Sequence, residues 1–178
     1  VVAAAAPFLI VEPVHAADSP DKQKYKWPTD PAVYILGLMA LFCMVPEGAV
    51  LDWGALYLRK TFEAPISVAG LAFAFFAGTM AVMRFLGDGV RNRFGAVRTM
   101  RVSCLIAAAG MVGGALAPNE WVAIAAFAFA GLGIANTVPI AFSAAGNHPG
   151  VSPGAGISTV TMMGYSGILI APSAIGLA

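Results

Sequence analysis

From Trp121 to Ala178 the chain runs for 58 residues without one Asp, Glu, Lys or Arg. A water-soluble domain of this size has no interior large enough to hide such a run. The run is too long for a single bilayer crossing, which takes about 20 apolar residues. It is divided by Gly146-Asn-His-Pro-Gly-Val-Ser-Pro-Gly-Ala-Gly156, a segment whose glycines, prolines and polar residues mark a loop. The rest of the chain follows the same pattern. Pro31–Pro46 is uncharged, and after Glu47 and Asp52 the apolar character returns as far as Leu58. Ala64–Met83 and Val102–Asn119 are further uncharged runs. Hydrophobic residues are 59% of the chain and charged residues 11%, against about 45–50% and about 25% in soluble domains. Disorder is excluded, because too little polar material is present to keep the chain solvated. The formal charge of +1 carries no nucleic-acid bias.

The runs are long, rich in Ala, Leu, Phe and Met, and not alternating, so they read as helices rather than barrel strands. The expected fold is an all-α integral membrane bundle of about five transmembrane helices plus a partial one. The expected spans are 31–58, 65–86, 99–117, 120–143 and 157–178, with a partial helix at 1–13 and a loop at 14–30. Val1–Ile10 followed by Val14-His15-Ala16 also resembles a signal peptide. No basic segment precedes it, and cleavage there would place the Lys-rich loop outside. A truncated helix is the preferred reading, which makes the chain a piece of a longer protein. Loops 12–30, 84–101 and 144–156 share one face and hold Lys22, Lys24, Lys26, Arg84, Arg91, Arg93, Arg98 and Arg101. The opposite face holds Arg59 and Lys60. The positive-inside rule therefore puts the first set in the cytoplasm, and the expected location is the inner (plasma) membrane.

The segment Arg84-Phe-Leu-Gly-Asp-Gly-Val-Arg-Asn-Arg-Phe-Gly95 is a basic, glycine-punctuated turn between two spans. Gly87, Gly89 and Gly95 permit tight turns, and Asp88 is placed to cap or pair with an arginine. By composition alone it is a generic positive loop. Its Gly87-Asp88-x4-Arg93-Phe94-Gly95 pattern resembles the short loop signature of the major facilitator superfamily, with Asn92 where an acid usually precedes the arginine. Glu47-Gly-Ala-Val-Leu-Asp-Trp53 with Tyr57-Leu58, and Gly164-Tyr-Ser-Gly-Ile-Leu-Ile-Ala-Pro-Ser-Ala-Ile-Gly176, are similar to segments of the sugar- and fucose-permease-like branch. The resemblance implies helices six (partial) to eleven of a twelve-helix secondary transporter, moving a sugar or related small metabolite by alternating access. The implied partners are the lipid bilayer, the N-terminal half of the same chain and a small-molecule substrate, with proton coupling left open and no nucleic acid. Gly87, Asp88, Arg91, Arg93 and Gly95 are then a latch that holds the inward face in one state.

Acids within a span are costly and mark a cavity or a partner. Glu47 and Asp52 stand about 140° apart on a helical wheel, so they do not share a face. Pro46 and Gly48 predict a broken helix with Glu47 at the break. Glu47 and Asp52 are therefore candidate substrate-binding or coupling residues, against a structural polar contact for Glu47 and an outer-interface position for Asp52. Asn136 and Thr137, before Pro139, form a second interrupted polar point, open to a hydroxylated ligand or to a neighbouring helix. Trp53, Tyr57 and Tyr165 are candidates for stacking on a sugar face, with interface anchoring the preferred reading. Gly110, Gly113 and Gly114 predict close helix approach. Cys43 and Cys104 lie in spans and read as small packing residues, and His15 and His148 as ordinary loop residues. The sequence holds no P-loop, nucleophile elbow or HExxH, so neither an enzyme activity nor a metal or cofactor is expected. The alternatives to a sugar transporter are an efflux pump for small hydrophobic compounds and a non-transporting scaffold or receptor. Protease added outside intact cells is expected to leave segment 84–101 uncut, and to cut it once the cytoplasmic side is opened.

Overall fold

A computed structural model of the chain describes residues 27–177. The expected partial helix at 1–13 and the lysines of loop 14–30 lie outside those residues. Six helices follow in order: α1 Pro31–Phe62, α2 Ile66–Phe94, α3 Ala96–Ala115, α4 Glu120–Ile134, α5 Thr137–Gly146 and α6 Pro153–Leu177. Among the described residues there is no strand. Taking Glu120–Gly146 as one span, five helical segments are long and apolar enough to cross a membrane. Without water in the bilayer core, a helix that satisfies its own backbone is the economical way for such runs to cross.

Local chemistry sets the helix ends. Asp30 caps α1 by accepting the Ala32 amide at 2.9 Å, ahead of Pro31. At the other end Glu63 adopts a left-handed conformation, φ 55°, and its amide reaches the Leu58 carbonyl. Arg59 and Lys60 in that last turn complement the helix dipole. Asn119 caps α4 by accepting the Val122 amide at 3.0 Å.

α4 and α5 form the centre of the bundle, and α1 packs on both. α3 lies on α4 at backbone distance. A Cβ added to Gly110 would fall 2.5 Å from the Ala130 nitrogen. Gly133 meets Ser103 and Ala107 in the same way from the other side. Gly114 receives the Phe127 ring, whereas Gly113 makes only ordinary contact with Ala126. α2 joins α4 through Gly131, which lies against the Phe76 carbonyl, and through Thr79, whose hydroxyl donates to Ala128 O at 2.7 Å. α1 and α6 pack extensively, with Gly164 under Ala40 and Met44 and Gly167 under Leu41 and Val45. Small residues at each seam provide the van der Waals contact that holds helices together where lipid competes equally for apolar side chains. Large side chains such as Phe42, Phe85 and Leu105 point outward.

Two sequence expectations are corrected. α1 runs without interruption through Pro46. Opening the helix at midspan would leave several backbone groups unsatisfied in a medium without water, which costs more than the one hydrogen bond that proline removes. The break falls instead between α4 and α5, at Ala135–Asn136. The second correction concerns segment 84–101, which is almost wholly helical. α2 continues to Phe94, α3 starts at Ala96, and Gly95 alone separates them.

Gly95 has φ 80° and ψ 156°, a region essentially closed to residues with a Cβ. Gly95→Val is expected to destabilise the fold by about 1–3 kcal/mol, read as a lower melting temperature of the purified protein in detergent.

Candidate functional site

The intramembrane charges of α1 and α2 meet. Glu47 Oε1 lies 3.6 Å from an Arg84 Nη, with Glu47 16% exposed and Arg84 52%. That separation exceeds the about 2.7–2.9 Å of a charge-assisted hydrogen bond. Arg84 therefore neutralises Glu47 while its guanidinium donors stay available. The sequence places Arg84 in a loop. In the structure it sits within α2, ten residues before the end at Phe94, or about 15 Å along the axis. No charge-pattern rule pairs it with Glu47, because the two are 37 positions apart in the chain and on different helices.

One turn beyond Arg84, Gly87 is buried against the side chain of Asn136 at the α4–α5 break. The Asn136 carbonyl oxygen occupies the space a Cβ on Gly87 would take. Its amide nitrogen is buried and has no hydrogen-bond partner among the described residues. Thr137 does a different job. Its hydroxyl donates to Ile134 O at 2.7 Å, which satisfies a carbonyl that the break would leave open. Of the expected site residues, Glu47 and Asn136 thus both meet the Arg84–Gly87 turn of α2, while the Thr137 hydroxyl bonds to its own backbone.

The remaining expected residues do not join this cluster. Asp52 is exposed and makes no ion pair among the described residues. Trp53 packs beside Gly176 of α6, its indole nitrogen buried and unpartnered among the described residues. Tyr57 donates to Gly114 O at 2.9 Å and sets its ring edgewise to Phe62 and Phe127, and Tyr165 is exposed. Within the expected latch, Gly87 and Asp88 are helical rather than turn residues, and Asp88 is exposed with no ion pair among the described residues. Arg91 donates to Ser143 Oγ of α5 at 2.9 Å, and Arg93 lies over the Phe94 ring at 5.7 Å. The α2 terminus is thereby tied to α5 by one hydrogen bond. His148 Nδ1 lies 3.7 Å from Asp30 Oδ2, which puts the loop before α6 beside the start of α1. Among the described residues no cluster of three or more His, Cys, Asp or Glu is placed to hold a metal.

Apolar helices long enough to cross a membrane, joined by small-residue seams and with an ion pair between two of them, define a multi-pass membrane protein. The family model of the Major Facilitator Superfamily matches residues 1–172, and the chain belongs to that family, a class of transporters rather than enzymes. Membrane protein MosC of Rhizobium meliloti is 35% identical over 142 residues, 80% of this chain and 35% of its own. An uncharacterized MFS-type transporter of Yersinia pestis is 33% identical over 81% of this chain and 38% of its own. Uncharacterized transporter y4wD of Sinorhizobium fredii is 32% identical over 82% of this chain and 38% of its own. The chain thus spans between a third and two-fifths of the length of these curated relatives. No solved structure matches it.

A Gly87→Ala substitution is expected to displace Asn136 and to cost about 1–3 kcal/mol of stability, as overpacking does. Two residues on, a Cβ at Gly89 meets nothing within 4 Å. Gly89→Ala is expected to be neutral or to raise the melting temperature slightly through helix propensity. Thermal unfolding of the two variants side by side measures the difference.

Proposed function

We propose that the chain is part of a secondary active transporter for a sugar or related small metabolite in the inner membrane, contributing helices six to eleven. The observation that carries this reading is the Glu47–Arg84 pair inside the span region of a superfamily member. Buried and half-buried charges in membrane helices are expensive and persist where they serve transport. A pair held at 3.6 Å without a direct hydrogen bond is easily exchanged for contacts to a polar ligand. In alternating access, one bundle rocks against the other around a site near the membrane midplane. Glu47 and Arg84 are then the binding or coupling pair, and Asn136 is a nearby amide donor for a hydroxylated ligand. Asp52 and Trp53 line the route toward the outer face, with Thr137 shaping the break. The segment from Gly87 to Gly95, with Asp88, Arg91 and Arg93, acts as the inward latch through the Arg91–Ser143 bond rather than as a free loop. The relatives' length supports a working unit that includes an N-terminal half of the same chain.

A second reading, export of small hydrophobic compounds, is favoured by a groove of about 750 Å³ lined by side chains such as Leu36, Met39, Met100 and Leu105. Uptake and efflux assays on cells making the full-length parent distinguish the two. Radiolabelled sugars are expected to accumulate, and Glu47→Gln is expected to cut that uptake at least tenfold and to change its pH dependence. Unchanged uptake with unchanged pH dependence would remove Glu47 from the mechanism. Export of hydrophobic dyes without sugar uptake would favour the second reading.

A further inference from the structure

From 66 to 115, the stretch that forms α2 and α3, the chain carries five arginines and one acid, Asp88. Two of the arginines are engaged, Arg84 beside Glu47 and Arg91 on Ser143. Arg93, Arg98 and Arg101 are exposed and make no ion pair among the described residues. Arg98, in the first turn of α3, lines a cleft of about 430 Å³. Met83, Val90 and Phe94 of α2 form one wall, Val102 and Ile106 of α3 the other, and Leu132 of α4 lies between them. The three helices pack on one another, so the cleft is part of the bundle's frame. Asp88 is not in its lining, and neither is any other acid. Arg93 lies over the ring of Phe94 at 5.7 Å, which brings a second guanidinium to the same end. The first turn of α3 has no side-chain cap, and its positive dipole end adds to the two arginines.

We propose that this cleft is a binding site for an anionic phospholipid of the cytoplasmic leaflet, one acyl chain lying between α2 and α3 and the phosphate resting on Arg98 and Arg93. The charge bias of the loops sets this end of the bundle on the cytoplasmic side. From Arg98 to Ile106 the α3 wall rises about 12 Å along the helix axis, against about 15 Å for one leaflet's half of the hydrocarbon core. A hydrocarbon chain rooted at the headgroup level therefore fits the cleft along its length. Guanidinium groups bind phosphate oxygens through paired N–H donors, and basic pockets between membrane helices at the cytoplasmic face take anionic headgroups. A free phosphate would gain nothing from the apolar walls. A zwitterionic headgroup would bring an ammonium to a place that holds arginines and no acid. The bound lipid braces α2 against α3 beside the Gly95 turn, where the two helices are joined by a single residue.

The test uses the full-length parent in phosphatidylcholine vesicles that contain a trace of phosphatidylglycerol with a diazirine in one acyl chain. After irradiation, labelled peptides are identified by mass spectrometry. Segments 83–94 and 98–106 are expected to carry more label than the other lipid-facing segments. The same probe with a phosphocholine headgroup should label all such segments evenly. Arg98→Gln is expected to lower the cleft labelling about fivefold, the worth of one arginine near a membrane surface. Val102→Trp fills the cleft while leaving both arginines, and should lower it as well. Arg59→Gln, on the opposite face, should leave it unchanged. Loss with Arg98→Gln but not with Val102→Trp would mean that only a phosphate is held there, and would overturn the proposal. So would even labelling by the phosphatidylglycerol probe, or cleft segments left unlabelled because another part of the protein or a second copy covers them. The comparison of the two headgroups uses the unsubstituted protein and does not depend on how the variants fold.

Discussion

The bundle depends on the backbone contact between α3 and α4. In a bilayer, apolar side chains gain little by leaving lipid for one another, so helices associate through close packing and a few hydrogen bonds. Gly110 and Gly133 let two helix backbones approach until side-chain-free surfaces touch. Everything central follows from that approach. It brings Thr137 to Cys104 and leaves α4 free on its other side for Gly131 and the Thr79 hydroxyl of α2. Once α2 is docked on α4, its Arg84 is carried to Glu47 of α1 and its Gly87 to Asn136.

The same medium decides where helices break. At Pro46 one hydrogen bond is forgone, and α1 stays closed around the proline. At Ala135–Asn136 the Thr137 hydroxyl takes up the Ile134 carbonyl, so the backbone opens at little cost. A proline is therefore a weaker cue in a membrane helix than in water, and a threonine able to bond back is a stronger one. Asn136 uses this opening. Its side chain sits against Gly87 of α2, with the amide nitrogen unpartnered among the described residues.

Charge, in turn, is economical. Glu47 is neutralised by a single arginine, and the basic end of α2 is held to α5 by Arg91 and Ser143. The first joins helices that pack on each other and share the short connection 63–65, and the second ties α2 to α5. Small rigid-body shifts would therefore alter these polar contacts without unpacking the core.

The chain's uncharged runs alone determined that it is a helical membrane protein, and they marked which stretches cross, because the cost of burying charge in lipid is large and local. Glu47 stood out on the same ground, as did the polar interruption at Asn136 and Thr137. The tertiary structure decided which groups meet. Arg84 looked like a loop residue because glycines follow it, but a helix in lipid continues until its backbone can be satisfied elsewhere, so α2 reached Phe94 and Arg84 became a partner for Glu47. Gly87 and Asn136, far apart in the chain, met only when α2 was set against the α4–α5 break. Such pairings depend on helix rotation and spacing, which are fixed by contacts between residues far apart in the chain and leave no periodic trace in it.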